Sequence, residues 1–254
     1  MLFDTHAHYD SEAFDTDRDA VLSALPEKGV GLVLCPGCDL PSSEACAALA
    51  ERYPHVWAAA GIHPENLEGA SLAELDAVRA LAARPKVRAI GEIGLDYHYD
   101  FSPRDVQKRV FEEQILLAKE LDLPVIVHDR EAHQDTMELL EKHRPRGVMH
   151  CYSGSAEMAR ELVKLGFYLG FGGSCTFKNA RKALESLQAV PAERILLETD
   201  APYLAPVPMR GRRNDSSLIP YAAQVAAGEK GMDPQALVDQ ARANACRLFG
   251  ICRD

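Results

Sequence analysis

Histidine and carboxylate side chains that can bind a metal ion recur in this chain, and the first of them stand almost at its beginning. In "DTHAHYD", Asp4, His6 and His8 alternate with small or apolar residues. Alternation in a strand places these three side chains on the same side of a sheet. Burying an Asp beside two His is costly unless something pairs with them. The stretch therefore predicts a polar site that other segments, or a cation, complete.

Later segments repeat the pattern of an apolar run followed by such a side chain. One of them, "AAAGIHPE", carries His63. The others are "VRAIGEIGLDY" with Glu92, "LPVIVHDR" with His128, "RGVMHCYSGS" with His150 and "ILLETDAPY" with Asp200. A single His at a strand end is more often structural than functional. Six such residues directed to one place are strong evidence for a metal site, because imidazole and carboxylate are ligands of divalent ions.

The number of donors predicts two divalent cations per chain, with Mg²⁺, Mn²⁺ and Zn²⁺ all remaining open. The predicted ligands are His6, His8, Glu92, His128, His150 and Asp200. Chain order and charge favour one ion held by His6, His8 and Asp200, and a second held by the other two histidines, with Glu92 bridging. Paired cations activate a water and polarise the bond under attack. Asp200 is the predicted acceptor of that water's proton, so Asp200 and Glu92 are the predicted catalytic carboxylates.

Other residues of these types have less specific interpretations. Asp4 and Glu198 share the inward face with the predicted ligands, two residues deeper, and either support those ligands or make structural hydrogen bonds. The remaining histidines are expected to be exposed to solvent: His55, His98, His133 and His143. The pair in Cys35-Pro-Gly-Cys38 is interpreted as two structural cysteines, because no second pair follows at zinc-finger spacing.

Basic residues cluster in "APYLAPVPMRGRRNDSS", the segment after Asp200. It carries Arg210, Arg212 and Arg213, and the arginine side chain suits the geometry of phosphate. Barrels often bind phosphate with their last strand-to-helix loops, which makes these side chains predicted substrate contacts; a solvated basic loop is the alternative. Further predicted substrate contacts are His63, Arg130 and Ser153.

Eight short β-rich runs position these residues. The runs are Met1–His6, Gly31–Cys35, Val56–Gly61, Val87–Glu92, Pro124–His128, Gly147–His150, Phe167–Phe171 and Ile195–Thr199. The stretches between them, such as "LAELDAVRALAARP", have the apolar spacing of helices. Strand and helix alternating eight times predicts a (β/α)8 TIM barrel, whose active sites lie at the carboxyl ends of the strands. A doubly wound open sheet is the alternative, weakened by the lack of a Gly-rich fingerprint.

The chain as a whole is expected to fold as one domain over residues 1–254, with "DPQALVDQARANACRLFGI" as the terminal barrel helix. With 47% hydrophobic and 26% charged residues, it has the composition of a globular protein, and no run suggests a membrane span or a signal peptide. Seven cysteines without a disulfide-like spacing favour the cytoplasm. A net charge of −10 argues against broad adhesion to nucleic acid, but not against a nucleic-acid substrate. Nothing in the sequence requires more than a monomer.

The motifs taken in order resemble the TatD family of metal-dependent deoxyribonucleases. The resemblance rests on "DTHAHYD", "GIHPE", "AIGEIGLDY", "LPVIVHDREA", "GVMHCYSGS", "GFYLGFGGSCTFKNA", "LLETDAPYLAPVPMRGRRN" and "NACRLFG". It implies a TIM barrel, divalent-metal-dependent hydrolysis of DNA from the 3′ end, the six metal ligands named above, and contact of His63 with the substrate phosphate. The family often continues after Arg-Asn with Glu-Pro, where this chain has Asp215-Ser216, so the substrate rim is expected to differ.

Three functions remain to be compared. The leading hypothesis is a metal-dependent 3′–5′ exodeoxyribonuclease acting on single-stranded or 3′ ends of DNA. The first alternative is an amidohydrolase-like deacylase or esterase, since an activated water also attacks a carbonyl; the Arg-rich loop favours the phosphodiester. The second alternative is a non-enzymatic metal or nucleic-acid binding protein, against which the acidic charge argues.

Overall fold

Eight parallel strands form the TIM barrel that the alternating pattern predicts. The structure is a computed structural model, and it describes residues 1–67 and 72–251. The strands are β1 (Leu2–Asp4), β2 (Val30–Pro36), β3 (Val56–Ala60), β4 (Val87–Asp96), β5 (Val125–Arg130), β6 (Gly147–Met149), β7 (Tyr168–Phe171) and β8 (Ile195–Leu197). Each strand pairs in parallel with the next along the chain. All eight predicted runs are confirmed as strands.

The barrel closes just beyond the ends of β1 and β8. Thr5 N donates to Leu197 O at 3.2 Å, and Asp200 N donates to His6 O at 2.9 Å. His8 N then donates to Ala201 O at 2.7 Å. This closure brings the first motif of the sequence beside the last one.

Helices surround the strands. They are α1 (Arg18–Ala24), α2 (Leu40–Arg52), α3 (Leu72–Ala82), α4 (Arg104–Glu120), α5 (His133–His143), α6 (Ala156–Lys164), α7 (Arg181–Ala189), α8 (Ile219–Lys230) and α9 (Pro234–Phe249). Local sequence explains several of the ends: the Asp233 side chain accepts from the first backbone N–H groups of α9, and Gly250 ends that helix at φ 62°. No helix in the described part of the chain is long and apolar enough to cross a membrane.

The last helix is the terminal barrel helix that the sequence predicts: α9 packs beside α8 against β8 and β1. Its end also closes the barrel at the amino ends of the strands. Inside the barrel, one side chain from each strand packs against Ala245, Leu248, Phe249 and Ile251; the eight are Phe3, Leu34, Ala59, Ala89, Ile126, Val148, Tyr168 and Leu196. This apolar layer fills the lower part of the barrel, so that polar side chains further along each strand stand above it.

Four strand ends differ from the prediction by two residues or more: those of β1, β4, β5 and β8. β1 ends at Asp4, before His6, and β4 continues four residues past Glu92 to Asp96. β4 is longer because it stays paired with β5, as Asp96 lies opposite Arg130. Gly94 makes this pairing possible: at φ 145° a Cβ there would come within 1.9 Å of His128 O.

The remaining histidines and cysteines are more embedded than expected. Only His98 of the four histidines is exposed. The others are half-buried and hydrogen-bonded: His55 to Leu22 O, His133 to Asp129 and His143 to Glu112. The partners of His55 and His143 are more than 30 residues away in sequence, and that of His133 is one helical turn away. The hydrophobic pattern of the sequence therefore does not predict these hydrogen bonds. Cys35, Cys38, Cys46, Cys151 and Cys175 carry free thiols; Cys252, which the sequence analysis counted, lies outside the described residues.

Candidate active site

The six predicted metal ligands lie together at the carboxyl ends of the strands, around Glu92. His6 and His8 follow β1, His150 follows β6 and Asp200 follows β8, while Glu92 and His128 lie within β4 and β5. The Glu92 side chain is 4% exposed, so its carboxylate is the floor of the site. Its two oxygens face different groups of side chains.

The first group surrounds Glu92 Oε2. His6 Nε2 lies 3.2 Å from this oxygen and His8 Nε2 lies 3.6 Å from it. Asp200 Oδ1 lies 3.8 Å from His6 Nε2 and 3.4 Å from His8 Nε2. The two imidazole nitrogens are 3.1 Å apart. These four atoms come from three separate segments of the chain.

The second group surrounds Glu92 Oε1. His128 Nδ1 and His150 Nε2 each lie 3.0 Å from this oxygen. The rings of His6 and His150 stack at 3.8 Å, which places the two groups side by side. The division between the groups is the one that chain order and charge suggested, with Glu92 between them.

The spacing and chemistry of the first group fit a divalent cation. An ion held at about 2.1 Å by four tetrahedral ligands requires ligand atoms about 3.4 Å apart. The separations measured between His6 Nε2, His8 Nε2, Glu92 Oε2 and Asp200 Oδ1, from 3.1 to 3.8 Å, bracket that value. His6, His8 and Glu92 can each offer a ligand atom to one ion, and Asp200 Oδ1 lies within 3.8 Å of both imidazole nitrogens. The donor set of imidazole and carboxylate suits Zn²⁺ or Mn²⁺ and, with water, Mg²⁺.

The charges of the site are those of carboxylates surrounded by imidazoles. Burial alone would raise the pKa of Glu92, but the imidazoles of His150 and His6 outweigh burial and hold that pKa well below its ordinary value. Burial opposes protonation of His128, but hydrogen bonds to carboxylates outweigh it and raise the pKa of His128 to about 9. Burial and the neighbouring His150 lower the pKa of His6. Glu92 therefore stays anionic at the point where positive charge would collect.

Asp96 is a functional candidate that the sequence analysis missed. Its side chain is buried, and Oδ2 lies 3.1 Å from His128 Nε2. Oδ1 accepts from the backbone N–H groups of His98 and Tyr99, at 2.9 and 2.8 Å. A carboxylate on the far nitrogen of His128 selects the tautomer whose Nδ1 lone pair points at the site. The available signal was the period of two: Asp96 follows Glu92 by four residues and so shares its face of the strand.

Replacing Asp96 by Asn is expected to weaken metal binding about 10- to 100-fold, because the amide N–H₂ cannot accept the proton of His128 Nε2. The amide oxygen can still accept from the backbone, so the turn after β4 should remain. Titration of chelated protein with Mn²⁺ or Zn²⁺ measures the effect. Asp100→Asn, an exposed carboxylate paired with Arg104, is the matched control. Unchanged affinity in Asp96→Asn would exclude this role.

Two other inward carboxylates have different partners. The Asp4 carboxylate accepts from Thr199 N at 3.0 Å and from Thr199 Oγ1 at 2.6 Å, and burial raises its pKa to about 7. It thus fastens β1 to the segment that carries Asp200. Glu198 Oε1 accepts from Cys151 N and lies 3.5 Å from His150 Nδ1. The sequence left two roles open for these carboxylates, structural hydrogen bonding or support of a metal ligand. Asp4 makes structural hydrogen bonds, and Glu198 lies behind the candidate ligand His150.

His63 lies beside the second group, with Nε2 3.5 Å from Glu92 Oε1. Its Nδ1 accepts from Glu65 N at 3.2 Å, so in the neutral ring the proton is on Nε2. Burial lowers the pKa of His63, which favours this neutral form. His63 therefore presents a hydrogen-bond donor to the site and not a lone pair. This geometry suits contact with an anionic substrate better than coordination of a metal.

Cys38 also reaches the site. Its Sγ lies 3.8 Å from His8 Nδ1, on the ring edge away from Glu92. Both Cys38 and Cys35 are free thiols. Cys38 thus supports the position of the His8 ring.

The predicted substrate-binding arginines fall into different environments. Arg130 is half-buried over the ring of Tyr99, and no carboxylate in residues 1–67 or 72–251 forms an ion pair with it. Arg210 is exposed over the ring of Phe177, and Arg212 is exposed. Arg213 makes a bidentate ion pair with Asp17, at 2.7 and 2.6 Å, and also donates to Ala13 O. Ser153 is exposed on the loop after β6.

The position of Arg213 bears on its predicted role. Its guanidinium nitrogens already bond protein groups and its Cζ lies over the ring of Phe14 at 4.5 Å. Arg213 therefore fastens the loop after β8 to the segment before α1. The structure brings the six candidate ligands and His63 together, while Arg213 is held by Asp17 and Ala13.

Comparisons with known proteins agree with this architecture. A protein-family model described as "TatD related DNase" matches residues 3–250. An "Uncharacterized metal-dependent hydrolase YabD" of Bacillus subtilis is 44% identical over 254 residues, which cover 99% of this chain and 100% of the relative. A "3'-5' ssDNA/RNA exonuclease TatD" of Salmonella typhimurium is 37% identical over 258 residues, covering 98% and 99% of the two chains. The solved structure of YJJV, a TatD homologue from Escherichia coli K12, superposes with a TM-score of 0.92 at 33% identity over 98% of each chain.

Proposed function

The chain belongs to the family of TatD-related DNases and is a metal-dependent hydrolase, and on that premise we propose that it removes nucleotides from the 3′ end of single-stranded DNA. The observation that carries the proposal is the position of Glu92 between two groups of candidate ligands, His6, His8 and Asp200 on one oxygen and His128 and His150 on the other. A carboxylate so placed can bridge two cations. The Salmonella relative is named a 3'-5' ssDNA/RNA exonuclease, which supports both the direction of cleavage and the single-stranded substrate.

The depth of the site supports a chain end as substrate. Glu92 is 3% exposed and His150 is 7% exposed, below the surface of the barrel mouth. A phosphodiester within a duplex is held on a thick, stiff rod and does not reach such a floor. An unpaired end can enter the mouth and place its last phosphodiester beside the candidate ligands.

The protein groups have separable roles in the proposed reaction. Two divalent cations bound by the six ligands would supply positive charge to the phosphate and a water made acidic enough to attack it. The Asp200 carboxylate accepts the proton of the attacking water. His63 Nε2–H donates to a phosphate oxygen. As the oxygen of water bonds to phosphorus, the bond to the leaving oxygen breaks and that oxygen takes a proton.

The choice of Asp200 over Glu92 as the base follows from position. The Asp200 side chain is 18% exposed against 4% for Glu92. Hydrogen bonding from His8, together with the imidazoles of His150 and His6, outweighs burial and lowers the pKa of Asp200, so it is ionised at neutral pH. An ionised carboxylate at the solvent edge is ready to accept a proton, while Glu92 is enclosed by ligands.

The experiment that tests the function uses 5′-labelled single-stranded DNA and the chelated protein. Restoring Mg²⁺, Mn²⁺ or Zn²⁺ is expected to give a ladder of products shortened from the 3′ end. The same assay with RNA and with a blunt duplex defines the substrate range. Shortening by fully chelated protein would contradict metal dependence. Hydrolysis of a carboxylic ester with no cleavage of any oligonucleotide would favour the deacylase or esterase alternative.

The arginines give a prediction within this assay. Arg130→Ala is expected to lower kcat/KM for the oligonucleotide about 10- to 100-fold, because a hydrogen bond from a charged donor to phosphate contributes about 1.5–3 kcal/mol. Arg213→Ala is expected to change it less than about threefold, because an exposed ion pair such as that with Asp17 contributes about 1 kcal/mol or less to stability alone. Steady-state rates and thermal melts of the two variants measure both effects. If Arg213→Ala lowered kcat/KM as much as Arg130→Ala, Arg213 would have to break its ion pair with Asp17 and bind the substrate.

We also propose that the chain acts as one domain and as a monomer in the cytoplasm. One barrel includes all eight strands, and α9 closes it with residues near the carboxyl end of the chain. Sedimentation of the metal-loaded protein tests the oligomeric state.

A further inference from the structure

Two aromatic side chains stand in solvent on the loop after β4. Tyr99 is 48% exposed and Phe101 is 67% exposed. Their rings lie nearly parallel, with centroids 5.3 Å apart and planes 11° apart. Aromatic side chains usually bury their rings, so an exposed, ordered pair indicates a contact surface.

A neighbouring residue shows what a structural aromatic looks like in the same loop. Tyr97 is half-buried, its Oη donates to Asp135, and Arg104 covers its ring at 4.1 Å. The hydroxyl of Tyr99 has no hydrogen-bond partner within residues 1–67 and 72–251. Tyr97, together with Gln107, whose Nε2 donates to Asp96 O and Ser102 O, holds the loop, and the outer rings keep an exposed face.

The exposed pair is connected to the candidate active site by two contacts. Asp96 accepts from Tyr99 N through one carboxylate oxygen and contacts His128 Nε2 through the other. The Arg130 guanidinium lies over the Tyr99 ring at 4.6 Å, and Arg130 follows His128 by two residues on β5. The rings, the Arg130 guanidinium and a candidate metal ligand thus lie next to one another at the barrel mouth, and no carboxylate of the described residues forms an ion pair with Arg130.

The chemistry of this surface matches that of a nucleotide. A flat apolar ring stacks on a base, whatever its identity, and the adjacent guanidinium attracts the phosphate that follows the base. Because the pair lies on one rim of the mouth, a strand whose 3′ end enters the site passes over it.

We propose that Tyr99 and Phe101 form a stacking platform for an unpaired base of the strand whose 3′ end occupies the active site. The platform rests on the proposed function, since it serves the same substrate. It holds the strand by base stacking while Arg130 holds the phosphate. The platform accepts any base, because stacking uses the flat face that all bases share. It favours single strands over duplexes, because both faces of a base inside a duplex are covered by neighbouring base pairs.

The test compares single-stranded oligonucleotides that differ only in carrying one abasic nucleotide, placed in turn at each of the three 3′-terminal positions. For the wild-type protein, kcat/KM is expected to fall about tenfold at one of these positions. In Tyr99→Ala and Phe101→Ala the ratio between the intact and the abasic substrate should approach one. Tyr99→Phe keeps a ring and should keep the ratio. Leu116→Ala, which removes an exposed apolar side chain from α4, is the matched control and should behave as wild type.

The outcomes separate the platform from the function. If the wild-type protein cleaves both substrates equally, the platform is wrong and the function stands. If it cleaves no oligonucleotide, the function fails and the platform with it. If the alanine variants lose rate on both substrates and keep the wild-type ratio, the rings only support the loop and the platform is wrong. Tyr99→Leu and Phe101→Leu replace any alanine variant that does not fold.

A binding measurement gives a second readout that does not depend on turnover. An oligonucleotide with 2-aminopurine at the sensitive position is added to Asp200→Asn protein, and stacking is expected to quench its fluorescence. Adding Phe101→Ala to that protein should abolish the quenching. Quenching that survives the loss of both rings would contradict the platform, as would a dimer in solution that Phe101→Ala converts to monomer.

Discussion

Replacing Asp200 by Asn is expected to lower kcat for oligonucleotide hydrolysis about 1,000-fold without changing the shape of the site. The amide has nearly the same size as the carboxylate but cannot accept a proton from the attacking water. Asp200 N also donates to His6 O at 2.9 Å, so the backbone should hold the side chain in place in the variant. Single-turnover cleavage of 5′-labelled single-stranded DNA measures the loss.

The control for Asp200→Asn is Asp233→Asn at the start of α9. Asn also caps helices, so Asp233→Asn should keep both stability and rate. Elemental analysis of Asp200→Asn then separates two roles: retained ions with a low kcat indicate a base, and lost ions indicate a ligand. A variant that keeps more than a tenth of the wild-type rate would contradict both roles.

Replacing Glu92 by Gln is expected to abolish paired metal binding together with activity. The amide offers one acceptor oxygen and directs an N–H₂ group toward one of the two groups of histidines. In the wild-type protein, cations at about 100 times their Kd should stabilise the fold by about 2.7 kcal/mol. For a chain of this size that corresponds to a rise in Tm of about 5–10 °C. Glu92→Gln should lose most of this metal-dependent rise and about 1,000-fold in rate.

Melting curves with metal and with chelator measure the Glu92 effect without any assay of activity. Glu185→Gln, a carboxylate on α7 paired with Arg181, is the matched control and should keep the full rise in Tm. A Glu92→Gln protein that binds two ions per chain would exclude the bridging role. This result would leave the family assignment intact and require a different center for the site.

Much of the architecture follows from local patterns in the sequence. Short β-rich runs predicted all eight strands, and the apolar spacing of the stretches between them predicted helices. The residues after the apolar runs predicted where polar groups collect, because parallel strands of a barrel point their carboxyl ends to the same rim. The six ligands stay predictions, but their convergence around Glu92 follows from this rule.

The tertiary structure decided what local patterns do not contain. Asp96 became a candidate only when β4 was seen to continue to the point where it pairs with Arg130 on β5. His63 is assigned as a hydrogen-bond donor because its Nδ1 accepts a hydrogen bond from Glu65 N. Arg213 forms an ion pair with Asp17, which distinguishes it from Arg130. α9 was predicted as the terminal barrel helix, but no local pattern showed that its end closes the barrel floor.

The physical reason for this division is the range of the interactions. Hydrophobic periodicity and the direction of a strand are properties of consecutive residues, so the sequence alone determined the barrel and the rim that carries the polar groups. Hydrogen-bond tautomers, ion-pair partners and ring stacking depend on distances of about 3–5 Å between side chains from different strands. Only the tertiary structure sets those distances, and with them the roles of Asp96, His63 and the Tyr99–Phe101 pair.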